Sequence, residues 1–275
     1  MAKTILITGA SSGIGKAIAV HFADKGWNVA ATMRQPENET GLAGRSGVKL
    51  YRLDVTDNNS IRQSMADTIQ DFNRIDVVVN NAGYGAVGIF EKATKEQIQR
   101  QFDINVFGVM NVTRFILSHF RKQRNGVIIN ITSMGGLITF PIYSIYHATK
   151  WAVEGFSESL QYELRPFNIK VKLVEPGAIK TDFYSRSQEL FANDAFQDYD
   201  AYEKVTFKNT QKTGEAATGP ETVAKTVYKA ANDRTFKLRY PVGGQTAALL
   251  TLRRFIPNKW FNSVVRSKVE KGFKG

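Results

Sequence analysis

The amino-acid sequence predicts an α/β fold, a doubly wound parallel sheet of about seven strands with helices on both faces. Three observations carry this. Short, wholly apolar runs recur along the 275 residues, and strands buried on both faces require such runs rather than polar–apolar alternation. Segments of helical periodicity separate them, and right-handed crossovers turn that succession into a parallel sheet. No repeat, linker or low-complexity stretch divides the chain, so residues 1–275 are expected to form one domain. With 43% hydrophobic and 23% charged residues, the composition is that of a soluble globular protein with ample material for a core.

The elements follow in order. Residues 3–8 form the first strand, which ends at Gly9. Residues 14–25 carry Ile14, Ala17, Ile18 and Phe22 at helical spacing and stop beside Gly26. Residues 28–33 and 48–53 are the second and third strands, 57–72 a helix, and 75–80, with Val77, Val78 and Val79 in succession, the fourth strand. One long helix is expected over 95–121. The fifth strand covers 126–132, and a helix over 144–165 is stopped by Pro166. The sixth strand, 169–175, ends at Pro176-Gly177; residues 221–232 are helical and 237–241 a seventh strand. Residues 182–220 show no regular pattern, and compact domains rarely carry so long a loop without a function. Phe183, Tyr184, Phe191, Phe196, Tyr199, Tyr202 and Phe207 cluster there, which suits a lipophilic pocket or lid, or packing against the body.

The formal charge is +12 and the pI about 9.7, which speaks to solubility and steering more than to a specific partner. No nucleic-acid partner is expected. From residue 253 to the end, Arg253, Arg254, Lys259, Arg266, Lys268, Lys271 and Lys274 face one acid, Glu270, with Phe255, Ile256, Trp260, Phe261, Val264 and Val265 interleaved. This C-terminal extension, 242–275, reads either as a basic amphipathic surface helix able to touch a membrane or as packing against the body or a partner subunit. The absence of cysteine removes disulfide and thiolate chemistry and fits a reducing compartment. The N-terminal apolar stretch is too short for a secretory signal, no run is long enough to span a bilayer, and no spacing suggests a metal site. A cytoplasmic enzyme is the expectation.

The first strand runs into Thr8-Gly9-Ala10-Ser11-Ser12-Gly13-Ile14-Gly15 and then a helix. Glycines permit a tight turn and close approach of backbone to a pyrophosphate, and the helix N-terminus offers free N–H groups to the anion. The strand–turn–helix context is what gives such a cluster meaning. Asp54-Val55 follows the third strand, Asn80-Asn81-Ala82-Gly83 the fourth, Asn105 lies within the long helix, Ser133 follows the fifth strand, Tyr146-His147-Ala148-Thr149-Lys150 opens the next helix, and Pro176-Gly177-Ala178-Ile179-Lys180-Thr181 follows the sixth strand. In this order and spacing the chain, to about residue 182, resembles the classical short-chain dehydrogenase/reductase family, and loosely its steroid- and retinoid-active branch. Open α/β sheets bind ligands at the carboxyl ends of their strands, which gathers these residues in one crevice.

The resemblance implies a Rossmann-type fold, a nicotinamide dinucleotide and a homodimer or homotetramer joined through the long helix and the helix of Tyr146. Gly9, Ser11, Ser12, Gly13, Ile14 and Gly15 would hold the pyrophosphate, Asp54 and Val55 the adenine edge, and Asn81, Ala82 and Gly83 the adenosine side, with a strand-tying role for Asn81 equally open. Pro176 and Gly177 would contact the cofactor, and Ile179 and Thr181 would hold the nicotinamide carboxamide. The second strand ends in Ala31-Thr32-Met33-Arg34, with no acid for ribose hydroxyls and an arginine suited to a 2′-phosphate, so NADP(H) is favoured over NAD(H). Tyr146 and Lys150, four apart on a helix, share a face, and an ammonium beside a phenol lowers its ordinary pKa of ~10. Tyr146 would then be the general acid/base, Ser133 would bind the substrate oxygen, Lys150 would also hold the ribose, and Asn105 would kink its helix and fix a proton-relaying water. His147 projects about 100° away and is expected to be structural. The implied activity is interconversion of a carbonyl and an alcohol on a lipophilic substrate, steroid-, retinoid- or fatty-acyl-like. The alternative is a non-catalytic NADP(H)-binding redox sensor; an epimerase of nucleotide sugars would need a different glycine spacing.

Overall fold

The computed structural model describes residues 2–180, 188–215 and 217–273. Its main sheet has seven parallel strands: β1 (Thr4–Thr8), β2 (Asn28–Met33), β3 (Val48–Arg52), β4 (Val77–Asn80), β6 (Gly126–Ile131), β7 (Ile169–Pro176) and β9 (Arg239–Val242). Their spatial order is β3-β2-β1-β4-β6-β7-β9. The chain moves outward from β1 through β2 to β3, then returns to place β4 on β1's other side. That reversal opens a crevice above the carboxyl ends of β1 and β4.

Strand side chains alternate between two cores. Ile5, Ile7, Val77, Val79 and Ile129 face Phe22 and Ile18 of α1 (Gly13–Asp24) and Val223 and Val227 of α7 (Pro220–Asn232). Leu6, Val78 and Ile128 face the other way. There they meet Ile61 and Met65 of α2 (Asn58–Phe72), Ile116 and Phe120 of α4 (Gly108–Gln123) and Leu160 of α5 (Ser144–Leu164). Local chemistry sets the ends of these helices. Asp57 caps α2 by accepting from the N–H groups of Asn59 and Ser60, Pro220 supplies α7's first position, and Asn73 leaves α2 in the left-handed region.

Four departures from the sequence expectations bear on function. The long helix over 95–121 is divided at the place where a local kink at Asn105 was expected: α3 (Lys95–Phe102) passes through a π-turn (Asp103–Phe107) into α4. The segment over 182–220 contains a helix, α6 (Asp200–Glu215), and a strand, β8 (Gln188–Leu190), which pairs in parallel with β5 (Gly85–Val87). The seventh strand of the main sheet begins at Arg239 rather than Lys237. The C-terminal extension forms two helices, α8 (Gly244–Phe255) and α9 (Asn258–Val269), separated by Ile256-Pro257, since the proline cannot continue α8. No helix among the described residues is long and apolar enough to cross a membrane.

Candidate active site

The turn after β1 depends on the absence of side chains. Gly9 has φ +68°, and a Cβ there would lie 2.9 Å from Cα of Ala82; at Gly15 a Cβ would sit 2.2 Å from the Gly9 carbonyl oxygen. Ser12 precedes α1 without a side-chain capping bond, so the first-turn N–H groups remain available to an anion. The Thr8 hydroxyl accepts from the N–H groups of both Asn81 and Ala82 at 3.0 Å. The Asn81 amide donates to the carbonyls of Thr8 (2.9 Å) and Gly9 (3.0 Å). Asn81 therefore ties β1 to β4 at the crevice, the strand-tying role left open by the sequence.

A cavity of about 1520 Å³ lies above this crevice. Gly9, Ser11, Ser12, Gly13 and Ile14 line one end, with Arg34 at its rim and Asp54 and Val55 alongside; Asn81, Ala82 and Gly83 form its floor. Ser133, Tyr146 and Lys150 line the middle, and Pro176, Gly177 and Ile179 the adjoining wall. Gly15 packs beneath the turn instead of reaching the cavity wall. Thr181, Phe183 and Tyr184 lie outside the described residues. Asp54 is turned toward its own loop, its Oδ1 accepting from the N–H and the hydroxyl of Thr56 (2.9 and 2.7 Å).

Asn105 lies inside the π-turn and is buried. Its Oδ1 accepts from the Tyr84 N–H at 3.0 Å, and its Nδ2 donates to the Tyr84 carbonyl at 2.8 Å and to Thr149 Oγ1 at 3.3 Å. The extra residue of the π-turn brings this amide into register with the strand end at Tyr84. That contact joins sequence-distant backbone, so no local signal announces it.

The cluster on α5 has a defined electrostatic setting. Lys150 Nζ donates to the Ile131 carbonyl at 3.1 Å and stands 5.7 Å from the centroid of the Tyr146 ring. Burial pushes the Lys150 ammonium down to about 8, while the Glu154 carboxylate one turn further acts in the opposite direction. Ser133 Oγ accepts from the Gly135 N–H at 3.0 Å, which leaves its own proton for another acceptor. His147 is buried and both ring nitrogens are held by backbone: Nδ1 meets the Gly135 carbonyl at 2.9 Å and Nε2 accepts from the Phe140 N–H at 3.0 Å. These partners require a proton on Nδ1 only, and burial pushes the imidazole down to about 4, so it stays neutral near pH 7.

Behind Lys150 is a charge cluster that the sequence reading did not find. Glu154 and Glu175 are 3% and 1% exposed, and Nη1 of Arg239 touches both, reaching Glu175 at 2.7 Å, while Nη2 reaches Glu158 at 3.0 Å. Burial pushes Glu175 up to about 7 and raises Glu154, against the pull of Arg239. The far end of the cavity was also missed. Leu249 of α8 and Phe261, Val264, Val265, Lys268 and Val269 of α9 form that wall, and the sequence pattern alone could not say which face of these helices turns inward. Among the described residues, no group of His, Asp or Glu side chains is arranged to hold a metal ion.

Comparison with known proteins places the chain in a family. The family model described as short chain dehydrogenase matches residues 3–190. The chain is 44% identical over 181 residues to 3-ketodihydrosphingosine reductase of Bacteroides thetaiotaomicron, spanning 66% of this chain and 65% of that one. A short-chain dehydrogenase structure from Streptomyces avermitilis is 33% identical, with a TM-score of 0.82 over 100% of this chain and 99% of its own. A structure of ElxO with NADP bound is 28% identical, with a TM-score of 0.74 over 90% of this chain and all of the other.

Proposed function

The chain belongs to the short-chain dehydrogenase/reductase family of oxidoreductases, and from that premise we propose that it is an NADP(H)-dependent enzyme interconverting a lipophilic carbonyl compound and its alcohol. The observation that carries this reading is the meeting of Ser133, Tyr146 and Lys150 on one cavity wall that continues into the glycine turn. The turn fits a dinucleotide. Its glycines leave room where any Cβ would collide, and the uncapped start of α1 complements a pyrophosphate. Arg34, with no acid at the end of β2, suits a 2′-phosphate, and the ElxO relative was solved with NADP.

In the proposed reaction the bound dinucleotide supplies or takes up the hydride. Ser133 donates a hydrogen bond from its hydroxyl to the substrate oxygen and keeps its proton, while its oxygen accepts from the Gly135 N–H. Tyr146 passes its phenolic proton to that oxygen as negative charge develops there, and recovers it in the reverse direction. Lys150, anchored on the Ile131 carbonyl, keeps a positive charge beside the phenol and stabilises its deprotonated form. Asn105 holds the π-turn against the backbone of Tyr84 and the hydroxyl of Thr149, one residue before Lys150. The apolar wall from Leu249 to Val269 favours a lipophilic substrate, and the Bacteroides relative is itself named as a reductase of a keto compound. Exposed Phe107 and Trp151, on the π-turn and α5, support homo-oligomerisation through those elements.

NADPH oxidation measured against a panel of aldehydes, cyclic ketones and long-chain keto compounds tests the proposal. Tyr146→Phe should lower turnover by roughly a hundredfold or more, the scale of general acid catalysis, with NADPH affinity unchanged. A variant with undiminished turnover would remove Tyr146 from the chemistry, and a chain that binds NADPH but reduces nothing in the panel would favour a sensor.

A further inference from the structure

The structure turns part of the C-terminal extension inward and leaves part of it to solvent, with Val264 and Lys268 lining the cavity edge while still exposed. Phe261 is buried under the Arg253 guanidinium, 5.3 Å from its ring centroid, and joins Val264 and Val265 in the cavity wall. The end of α9 is held to α6: Tyr202 donates to Glu270 at 3.1 Å, and the Asn209 amide donates to the carbonyls of Val269 (2.9 Å) and Lys271 (3.0 Å). Other residues face solvent. Phe255 is 76% and Trp260 67% exposed, with Leu252 and Val264 beside them on their helices. Leu252 and Phe255 are three apart on α8 and Trp260 and Val264 four apart on α9, so each pair forms a ridge. Phe255 and Trp260 flank the Ile256-Pro257 turn, and five residues of chain limit their Cα separation to about 18 Å. Arg254 and Lys259 adjoin them in sequence, and Arg266, Lys268 and Lys271 follow along α9 and just beyond it, all exposed. The acid of this stretch, Glu270, is already bound by Tyr202 and Arg266.

We propose that α8 and α9 dock the protein on the surface of an anionic lipid bilayer. Phe255 and Trp260 enter the interface, and these lysines and arginines lie on the headgroups. Exposed aromatic residues with exposed cations on the same short helices are the pattern for a helix lying in the interface plane, and tryptophan prefers that depth. Each helix has twelve residues, about 18 Å at 1.5 Å per residue, too short to span and suited to lying flat. The charge argues against a second copy as occupant. A two-fold contact would set this cationic patch against itself, and like charges facing each other oppose association. Leu249, Val264 and Val265 belong to these same helices and to the cavity that contains Tyr146. The docked face is thus adjacent to the cavity's apolar end, and a lipid-dissolved carbonyl would enter from the membrane side. This delivery role rests on the proposed reductase activity; the docking itself does not.

Flotation of the full-length protein with vesicles of phosphatidylcholine alone, or of phosphatidylcholine with phosphatidylglycerol, tests the docking without substrate or turnover. The protein should float with the anionic vesicles only, and its tryptophan emission should shift to the blue. Phe255→Ser with Trp260→Ser, and separately Arg254→Glu with Lys259→Glu, should each cut the bound fraction at least tenfold, with NADPH binding and helical content unchanged. Absence of flotation on anionic vesicles overturns the proposal. So does flotation that neither double variant weakens, or a result in which Phe255→Ser with Trp260→Ser dissociates a dimer that never binds vesicles. Since no arm reads reduction, failure of the reductase reading would appear in the substrate panel and failure of docking in the flotation.

Discussion

Replacing Arg239 by methionine removes the cation that touches both buried carboxylates behind Lys150. In the native protein Nη1 of Arg239 serves Glu154 and Glu175 together, and both acids are nearly inaccessible to water. Leaving a buried charge without its partner costs about 3–5 kcal/mol, and that cost applies only while the acids are ionised. Burial already pushes Glu175 up to about 7 from an ordinary 4.5. The folded chain therefore retains a proton that the unfolded chain releases between those values. This contribution to stability is complete below about 4.5 and is lost as pH rises through about 7, a difference of about 3 kcal/mol at 1.36 kcal/mol per pKa unit. Without Arg239 both acids move further up, so the variant's deficit grows with pH. Urea unfolding followed by circular dichroism should show a loss of about 3–5 kcal/mol at pH 8 and less than about 2 kcal/mol at pH 5. Adding Glu154→Gln and Glu175→Gln to Arg239→Met should recover most of the loss at pH 8. An equal deficit at both pH values, or no recovery in the triple variant, would refute the account of a shared buried cation.

Two further predictions concern the cofactor and the proton. Arg34→Asp should weaken NADPH binding by at least tenfold relative to NADH, since it replaces a phosphate partner by a like charge; fluorescence titration with both nucleotides measures this, and unchanged discrimination removes Arg34 from the 2′ site. Burial sets the Lys150 ammonium at about 8, so its charge is present below that pH and lost above it. The kcat/KM for reduction, followed from pH 6 to 10, should fall as pH rises through this region, and a flat profile would detach Lys150 from the proton step.

Much of the candidate site was legible because each part is announced locally. A glycine turn, a strand end or a Tyr and Lys one helical turn apart leaves its mark within a few residues, and the parallel topology brings those marks to one crevice. What escaped was set by longer distances. A kink at Asn105 was expected from the family resemblance, but the π-turn at Asp103–Phe107 inserts one residue into an otherwise continuous helical period, and the Asn105–Tyr84 pairing that occupies it spans 21 residues. The strands Gly85–Val87 and Gln188–Leu190 have three residues each, too few for a period of two to register. Lysine in a strand reads as exposed, yet Lys172 is fully buried because its ammonium finds the carbonyls of Thr235 and Lys237 and the hydroxyl of Tyr240. The amphipathic character of the C-terminal extension was visible, but the choice of Phe261 to face inward and Trp260 outward is made by the cavity it covers.

The neutral imidazole of His147 spans the loop after β6 and the start of α5, with the Gly135 carbonyl on one nitrogen and the Phe140 N–H on the other. Ser133 lies two residues before the first anchor and Tyr146 one residue before the histidine, so both side chains belong to one braced unit. Descendants of this protein that change substrate therefore have little freedom on that side of the cavity, where a shift in the brace moves both hydroxyls together. Divergence should accumulate on the opposite wall, in the helices from Gly244 to Val269, and the same reacting bond should be presented to differently shaped molecules.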